Sequence, residues 1–454
     1  MRDTTRDRGA DSGHDTTRGV TDPGSFRELP HPPPPAEPNP LGWPDYDRVL
    51  SRAAERGGTE SVTAATATIH GTHVVLLAFD FTYLGGSLGR RAGDRIEAAH
   101  AHAREHRLPV VALVATGGSR MQEGMIALTQ LQRVAGQMAL TRAAGLPQLT
   151  VACDPTTGGG WATLGAGADV TLACPGAQIG FAGSRVRPAD ADPAAYTAES
   201  QLDAGSVDAI VPPGELRAAL GRWLRLLTRP ARGAAPVPVA RGAAGPPPSG
   251  WSAVLRARDP GRPRARAYLD AYFTHREELS GDRAGGRDPG MLCGFGACGE
   301  GEEAVTVAYA AQCGTATTPA GYRTAARLIR LAGRLGIPVL TLVDTPGAAN
   351  DAAAERAGAG PAIAEVFLAV AESPVPVTTL AIGEGGSGGA LALAAPGNTW
   401  VAPDAYFSVI APELAAAILK RPSDQVEHTA DQLRLRPQDL VDLGVVRGIA
   451  EPPA

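Results

Sequence analysis

AIGEGGSGGALALAA, residues Ala381 to Ala395, is an apolar run that opens into five glycines and one serine and closes in a second apolar run. A near-copy, VACDPTTGGGWATLGAG, occupies Val151 to Gly167. Each reads as a strand ending in a glycine-rich turn that starts a helix, and such a turn presents bare backbone N–H groups to an incoming oxygen. The pair sets the expectation for the whole chain: a repeated strand, turn and helix unit whose peptides, more than its side chains, carry the chemistry.

The flanking sequence repeats as well. Before the first copy, the strand Val110–Ala115 leads into the turn Thr116 to Gly124, a helix over Met125–Ala144 and the strand Gln148–Cys153. Before the second come a helix over Tyr322–Leu335, the strand Val339–Val343, the turn Asp344–Gly347, a helix near Gly360–Glu372 and the strand Val375–Ile382. Thr116 Gly117 Gly118 and Thr345 Pro346 Gly347 lie 229 positions apart, and the same offset sets Phe181 Ala182 Gly183 on Ile410 Ala411 Pro412. One fold is used twice. Strand, turn and helix units in this order predict an α/β layer architecture with right-handed crossovers.

Further out, Val74–Phe79 reads as a buried strand that breaks at FTYLGGSLG (Phe81–Gly89) before a helix over Gly93–His106, and Tyr46–Arg56 has helical spacing. Residues 1–42, rich in Arg, Asp, Thr and Pro, predict a disordered leader. Residues 43–228 form the first domain, 229–261 a Pro/Gly/Ala-rich linker, and 262–454 the second domain.

With 42 basic and 47 acidic residues, a net charge of −5 gives no case for nucleic acid or membrane binding. Five cysteines without a CxxC pair argue against a disulfide framework and against zinc, and no metal is expected. A polar N-terminus and no apolar run of membrane length place the protein in the cytoplasm as an expectation.

Three uses of glycine-rich turns compete. A P-loop needs GxxxxGK[ST], but the single lysine, Lys420, is far from any turn. A dinucleotide fingerprint needs GxGxxG after the first strand, which GSGGA does not match. Oxyanion stabilisation remains, in which two N–H donors from separate turns converge on one developing charge. The first half offers Gly117 and Gly118 with Gly158 and Gly159; the second offers Gly347 and Ala348 with Gly385, Gly386 and Gly388. Side-chain catalysis has weak support: no GxSxG elbow precedes Ser387, and the histidines outside the leader read as exposed helix or loop positions. Asp344 and Glu384, at strand ends, read as structural residues ahead of general bases.

At these residues the chain resembles the carboxyltransferase component of acetyl-CoA carboxylase. Residues 41–230 are similar to its beta subunit through FDFTYLGGSLG, TGGSRMQEGMIAL, DPTTGGGWATLGAGAD and PGAQIGFAGSRV. Residues 262–450 are similar to its alpha subunit through RPRARAYLDAYF, GYRTAARLIRLAGRLGIPVLTLVDTPGA, AIGEGGSGGALAL and YFSVIAPELAAAILKR. The resemblance implies tandem crotonase-like (ClpP/crotonase) spiral domains. It implies transfer of carboxylate from carboxybiotin, held on a separate biotin carboxyl carrier protein charged by biotin carboxylase, to acetyl-CoA or a related acyl-CoA. Gly117, Gly118, Gly158 and Gly159 would surround the enolate oxygen, and Gly347, Gly385, Gly386 and Gly388 the ureido oxygen of biotin. Gly85, Gly86, Arg120 and Arg323 would contact substrate. A homodimer or higher homo-oligomer would bring an acyl-CoA half to a biotin half.

Three departures from the family stand out. No cysteine precedes Cys153, so the usual zinc ribbon is not expected; Ala311–Ala320 carries no charge where the family has a basic segment; and Ala349, Asn350 and Asp351 replace an aromatic, flexible sequence. The last two give some weight to a biotin-independent decarboxylase of malonyl thioesters, and a degenerate scaffold is a third alternative. Valine at Gly118 or Gly386 is expected to abolish turnover and leave the fold intact.

Overall fold

Strands that read as unbroken apolar runs are those of a sheet covered on both faces, and the computed structural model, which describes residues 13–34, 36–242 and 245–452, pairs them in parallel. The chain divides into two units, residues 1–225 and 226–454.

In the first unit the strands are β1 (Arg27–Glu28), β2 (Val62–Ile69), β3 (Thr72–Phe79), β4 (Val110–Thr116), β5 (Gln148–Thr157), β6 (Val170–Ala173), β7 (Ile179–Gly180) and β8 (Ala209–Ile210). They lie in the order β1-β2-β3-β4-β5-β6-β8, with β7 also paired to β5. β2 and β3 form an antiparallel hairpin; from β3 onward the sheet is parallel. Parallel neighbours need crossovers; after the helix α2 (Tyr46–Glu55), helices α3 (Arg90–His106) and α4 (Gly124–Ala143) supply those from β3 to β4 and from β4 to β5. Ile96, Ala99 and Val134 from these helices close on Val75, Leu77, Val110 and Val114, all buried.

The second unit repeats the plan with β9 (His275–Glu278), β10 (Met291–Cys298), β11 (Val305–Gln312), β12 (Val339–Thr345), β13 (Val377–Gly386), β14 (Thr399–Val401), β15 (Tyr406–Ser408) and β16 (Gly448–Ile449). Their order is β16-β14-β13-β12-β11-β10-β9, with β15 on β13. The crossover helix Pro319–Leu335 has 17 residues, as α3 has, and its ends stand 229 positions beyond those of α3. β5 and β13 extend past the expected ends at Cys153 and Ile382, because β7 and β15 continue the pairing there.

The register corrects one correspondence. Ile179 sits opposite Thr156 and Phe407 opposite Gly385, so Phe181 matches Val409 and not Ile410. The second unit is one residue shorter between these strands. Phe181 and Val409 are similarly exposed, at 74% and 73%.

Two domain expectations need revision. The expected disordered leader carries structure: α1 (Gly13–Val20) is helical, and β1 pairs with β2. The Asp22 carboxylate accepts N–H bonds from His70 at 3.1 Å and Gly71 at 2.8 Å and takes Arg217 at 2.5 Å, and Leu29 N–H donates to Ala64 at 2.8 Å. Residues 1–12 of that leader, and Pro35, lie outside the described residues. The expected linker is likewise held to the second unit by backbone bonds that composition does not reveal. Ala231 N–H donates to Thr306, Ala240 N–H to Glu451, and Ala235 O accepts from Thr378 Oγ1 at 2.8 Å. Gly250–Arg258 is a helix with a capping box at Ser249, and Val254 and Ala257 are buried against Tyr406 and Leu435. Among the described residues no helix is long and apolar enough to cross a membrane.

Candidate active site

Each unit brings two turns together at the carboxyl ends of its two central strands. In the first, β4 ends in Thr116-Gly117-Gly118, and Gly118 takes φ +109°, a conformation open to glycine and strained for other residues. Its carbonyl accepts from Leu88 N–H at 2.8 Å, and Leu88 O accepts from Arg120 N–H at 2.9 Å. β5 ends at Thr157, and Gly158, at φ +62°, starts the short helix α5 (Gly158–Gly160). A Cβ on Gly158 would lie 2.9 Å from Gly118 Cα, so the turns touch. Thr156 Oγ1 donates to Val114 O at 2.6 Å and Thr157 Oγ1 to Thr116 O at 3.1 Å, which stitches the strand ends together.

The second unit follows the same plan. Gly347 has φ +141°; Thr317 N–H donates to its carbonyl at 3.1 Å, and Ala349 N–H donates to Thr317 O at 2.8 Å. These bonds repeat those around Leu88 and Gly118 at the same 229-residue offset. β13 delivers Gly386 and then Ser387, first residue of the helix Ser387–Leu391, at φ +58°. A Cβ on Gly386 would overlap Pro346 O, and one on Gly389 would come within 2.5 Å of Ala348 N. Nothing lies within 4 Å of a Cβ on Gly388, which lines a pocket of about 380 Å³ walled by Leu391, Phe407, Leu433, Leu440 and Val445.

The candidate donors separate on this geometry. Gly117 N–H is committed to Gly85 O at 2.9 Å and Gly158 N–H to Phe181 O at 3.1 Å, so neither peptide faces the site as a free donor. The position matching Gly117 is Pro346, which has no N–H to give. Gly385 is a packing residue in mid-sheet, against Phe407. Gly159 and Gly388 are second residues of their helices, where a backbone N–H has no intrahelical partner. Gly118 N–H and Gly347 N–H each rest on a threonine hydroxyl two residues earlier, at 3.1 Å. Gly159 and Gly388 are thus the candidates left open by these bonds, and Gly118 and Gly347 stand beside them with N–H groups that would have to leave the threonine hydroxyl to reach a ligand. Valine at Gly386 cannot leave the fold undisturbed, because its Cβ would strike the Pro346 carbonyl.

The expected substrate-contact residues all have partners within the protein. Gly86 packs its backbone on the end of β4, where a Cβ would overlap Ala115 O, and Gly85 holds Gly117. Arg120 is 2% exposed and bonds Glu60, Glu123, Ser87 and Ser61. Burial alone would lower its pKa, but Glu60 and Glu123 outweigh that and hold the guanidinium charged. Arg323 forks onto buried Asp282 at 2.6 and 2.8 Å and donates to Ala357 O, forming a wall of a cleft of about 650 Å³.

The departures have local explanations. Ala311, Gln312 and Thr317 are buried, Gln312 Nε2 donates to Gly389 O at 3.2 Å, and Asp351 caps the helix Ala352–Arg356. Asp344 is buried against Arg262 and Arg264; burial pushes its carboxyl up, and its oxygens are taken. Glu384 bonds Arg258 at 2.9 Å and Tyr406 at 2.8 Å. His100 is buried and not exposed as expected: Nδ1 meets Thr141 Oγ1 at 2.9 Å, and burial with nearby Arg104 brings its pKa down to about 4. Among the described residues, one group with converging potential metal ligands, His102, Glu105 and His106, lies on the last turn of α3. That is the end of the β4 crossover away from Gly118.

Sequence reasoning passed over Ser387, although the repeat offset already set it against Gly158. It also missed Leu131, whose side chain closes on Gly159.

A carboxyl transferase domain family matches residues 44–211, and an acetyl co-enzyme A carboxylase carboxyltransferase-like family matches residues 249–454. The acetyl-coenzyme A carboxylase carboxyl transferase subunits beta/alpha of Saccharopolyspora erythraea are 40% identical over 97% of this chain and 80% of that protein. Those of Salinispora arenicola are 39% identical over 96% and 81%. A probable biotin-dependent acyl-coenzyme A carboxylase beta3 subunit of Mycobacterium bovis is 34% identical over 88% and 82%. The transcarboxylase 12S hexamer core, solved with hydrolysed methylmalonyl-coenzyme A, matches in fold at TM-score 0.77 and 19% identity, over 97% of this chain and 87% of that one. A single-chain long-chain acyl-CoA carboxylase matches at TM-score 0.75, over 97% of this chain and 44% of that one.

Proposed function

Because the chain belongs to the acetyl-CoA carboxylase carboxyltransferase family, whose members are biotin-dependent acyl-CoA carboxyltransferases of crotonase-like fold, we propose that it carboxylates acetyl-CoA or a closely related acyl-CoA. The first unit takes the thioester, with Gly118 and Gly159 N–H groups on its carbonyl oxygen. The second takes biotin from a separate carrier protein charged by biotin carboxylase. Its apolar pocket suits the body of that group, and the N–H groups of Gly347 and Gly388 suit the ureido oxygen. Biotin supplies a labile carboxyl group on a ureido nitrogen.

The chain then contributes in three ways. Gly118 and Gly159 lower the cost of the negative charge that grows on the thioester oxygen as the α proton leaves and the enolate forms. Removing one such donor typically costs about 10²–10³ in rate. Gly347 and Gly388 do the same for the ureido oxygen. Two fixed cradles also orient the reactants, which removes an entropic barrier from their meeting.

The observation that carries this reading is the repetition. Two unrelated pairs of turns need not share one register, yet both pairs here touch, both place a positive-φ glycine after the first strand, and both start a helix after the second. Assembly as a homo-oligomer in the cytoplasm accords with it, and the hexameric transcarboxylase core supports the oligomer. The decarboxylase reading finds no such support, because the relatives carry carboxylase names.

The test is substrate profiling in the reverse direction, with malonyl- and methylmalonyl-CoA as carboxyl donors and free biotin methyl ester as acceptor, releasing acetyl- or propionyl-CoA. Transfer from malonyl-CoA at the higher kcat/KM is the expected result. No exchange with any acyl-CoA overturns the proposal.

A further inference from the structure

The two units agree closely in backbone and differ in the residue that starts the helix after the second central strand. Thr156 stands opposite Thr116 in the first unit, and Gly385 opposite Thr345 in the second, which sets Gly158 against Ser387. Their backbones are nearly the same, with φ +62° and φ +58°. Glycine accepts that conformation freely; serine does not, and such strain persists at functional sites when the surroundings enforce it.

Three observations say what the serine does in exchange. First, its side chain is exposed and lines the 380 Å³ pocket beside Gly388. Second, that pocket is otherwise walled mostly by leucine, valine and phenylalanine, so Ser387 and Ser408 supply its side-chain hydroxyls, and Ser408 Oγ is already bonded to Ile410 O at 2.5 Å. Third, Ser387 follows the turn that packs on Gly347, which puts it at the polar end of the pocket. A ligand with an apolar body and one accepting oxygen meets this arrangement with its oxygen toward Ser387 and Gly388.

We propose that Ser387 is a specificity-determining residue of the second unit, whose hydroxyl donates a hydrogen bond to the ligand oxygen held by Gly347 and Gly388. The inference rests on the proposed function, in which that oxygen is the ureido oxygen of biotin. It also gives the repeat an asymmetry with a chemical purpose. The first unit, with Gly158, binds its oxygen by backbone donors alone; the second adds a side-chain donor, and so distinguishes a cyclic urea from a thioester.

Two substitutions separate the hydroxyl from the backbone. Ser387→Ala keeps the Cβ and its strain and loses only the hydroxyl; Ser387→Gly loses the hydroxyl and relieves the strain. Binding of biotin methyl ester is measured by titration calorimetry on the full chain, with malonyl-CoA binding and thermal melting alongside. We expect both variants to bind biotin methyl ester about 5- to 10-fold more weakly, as for loss of one hydrogen bond. Malonyl-CoA affinity stays at the wild-type value in both. The melting temperature is unchanged in Ser387→Ala and higher by about 1–3 °C in Ser387→Gly. Wild-type affinity for the biotin ester in both variants overturns the role of the hydroxyl. If the wild-type chain binds malonyl-CoA but not the biotin ester, the biotin reading of the second unit falls, and this proposal with it.

Discussion

Gly118→Ala isolates the geometry on which the first cradle depends. At φ +109° an L side chain is strained by about 1–3 kcal/mol. Steric overlap adds little, since the nearest atom to the new Cβ is Gly158 Cα at 3.6 Å, an ordinary contact. Against a typical stability of about 5–15 kcal/mol the domain stays folded, with a melting temperature lower by about 2–12 °C. Catalysis is less tolerant. The chain relieves the strain by rotating the peptide that should aim at the oxyanion, and loss of one such donor costs about 10²–10³ in rate, roughly 3–4 kcal/mol. The assay is carboxyl transfer from malonyl-CoA to biotin methyl ester, with circular dichroism to confirm folding. The predicted result is a kcat lower by at least about 100-fold and a KM for malonyl-CoA within a few-fold of wild type. A folded variant with kcat within threefold of wild type refutes the donor role of this turn.

Three other outcomes follow from the same structure. Arg120→Ala leaves Glu60 and Glu123 as buried, unpaired carboxylates, and should cost about 3–5 kcal/mol, read as a fall in melting temperature of about 6–20 °C. Substrate KM of the folded fraction should not change. His100 loses its charge more easily when folded, with a pKa of about 4 against 6.5, so the unfolded chain binds the extra proton and stability falls as pH drops from about 6.5 to 4. Chemical denaturation should show roughly 3 kcal/mol lost across that window in wild type, and a flatter profile in His100→Leu. For Asp22, burial opposes the charge, but the N–H groups of Gly71 and His70 with Arg217 hold the carboxyl well below the usual range. Its stabilisation is present above its unfolded pKa and lost as pH falls through the folded value. Asp22→Asn should therefore cost about 1–3 kcal/mol at pH 7, with the deficit shrinking below about pH 4.

The repeat was legible in the sequence because glycines at strand ends are forced by backbone geometry, and a constant offset survives where side chains diverge. The glycines alone did not show which peptides are donors. Gly117 and Gly118 look alike in sequence; only the structure shows that one N–H is held by the Gly85 carbonyl and the other by the Thr116 hydroxyl. Arg120, for which the family resemblance implies a substrate contact, has partners Glu60 and Glu123, one of them 60 positions away and invisible to local pattern. The leader and the linker defeated composition because backbone N–H and C=O groups hold them, and every residue but proline carries both. Ser387 was legible in principle, as a non-glycine at a position where the repeat has glycine.

Both cradles are proposed to act in one biotin-dependent transfer. The most direct measurement is consumption of malonyl-CoA by the purified chain with and without biotin methyl ester. Acetyl-CoA formation should depend on the biotin ester, rise with its concentration to saturation, and be lost in Gly118→Ala. Malonyl-CoA loss at the same rate without biotin, or none under either condition, contradicts the proposal.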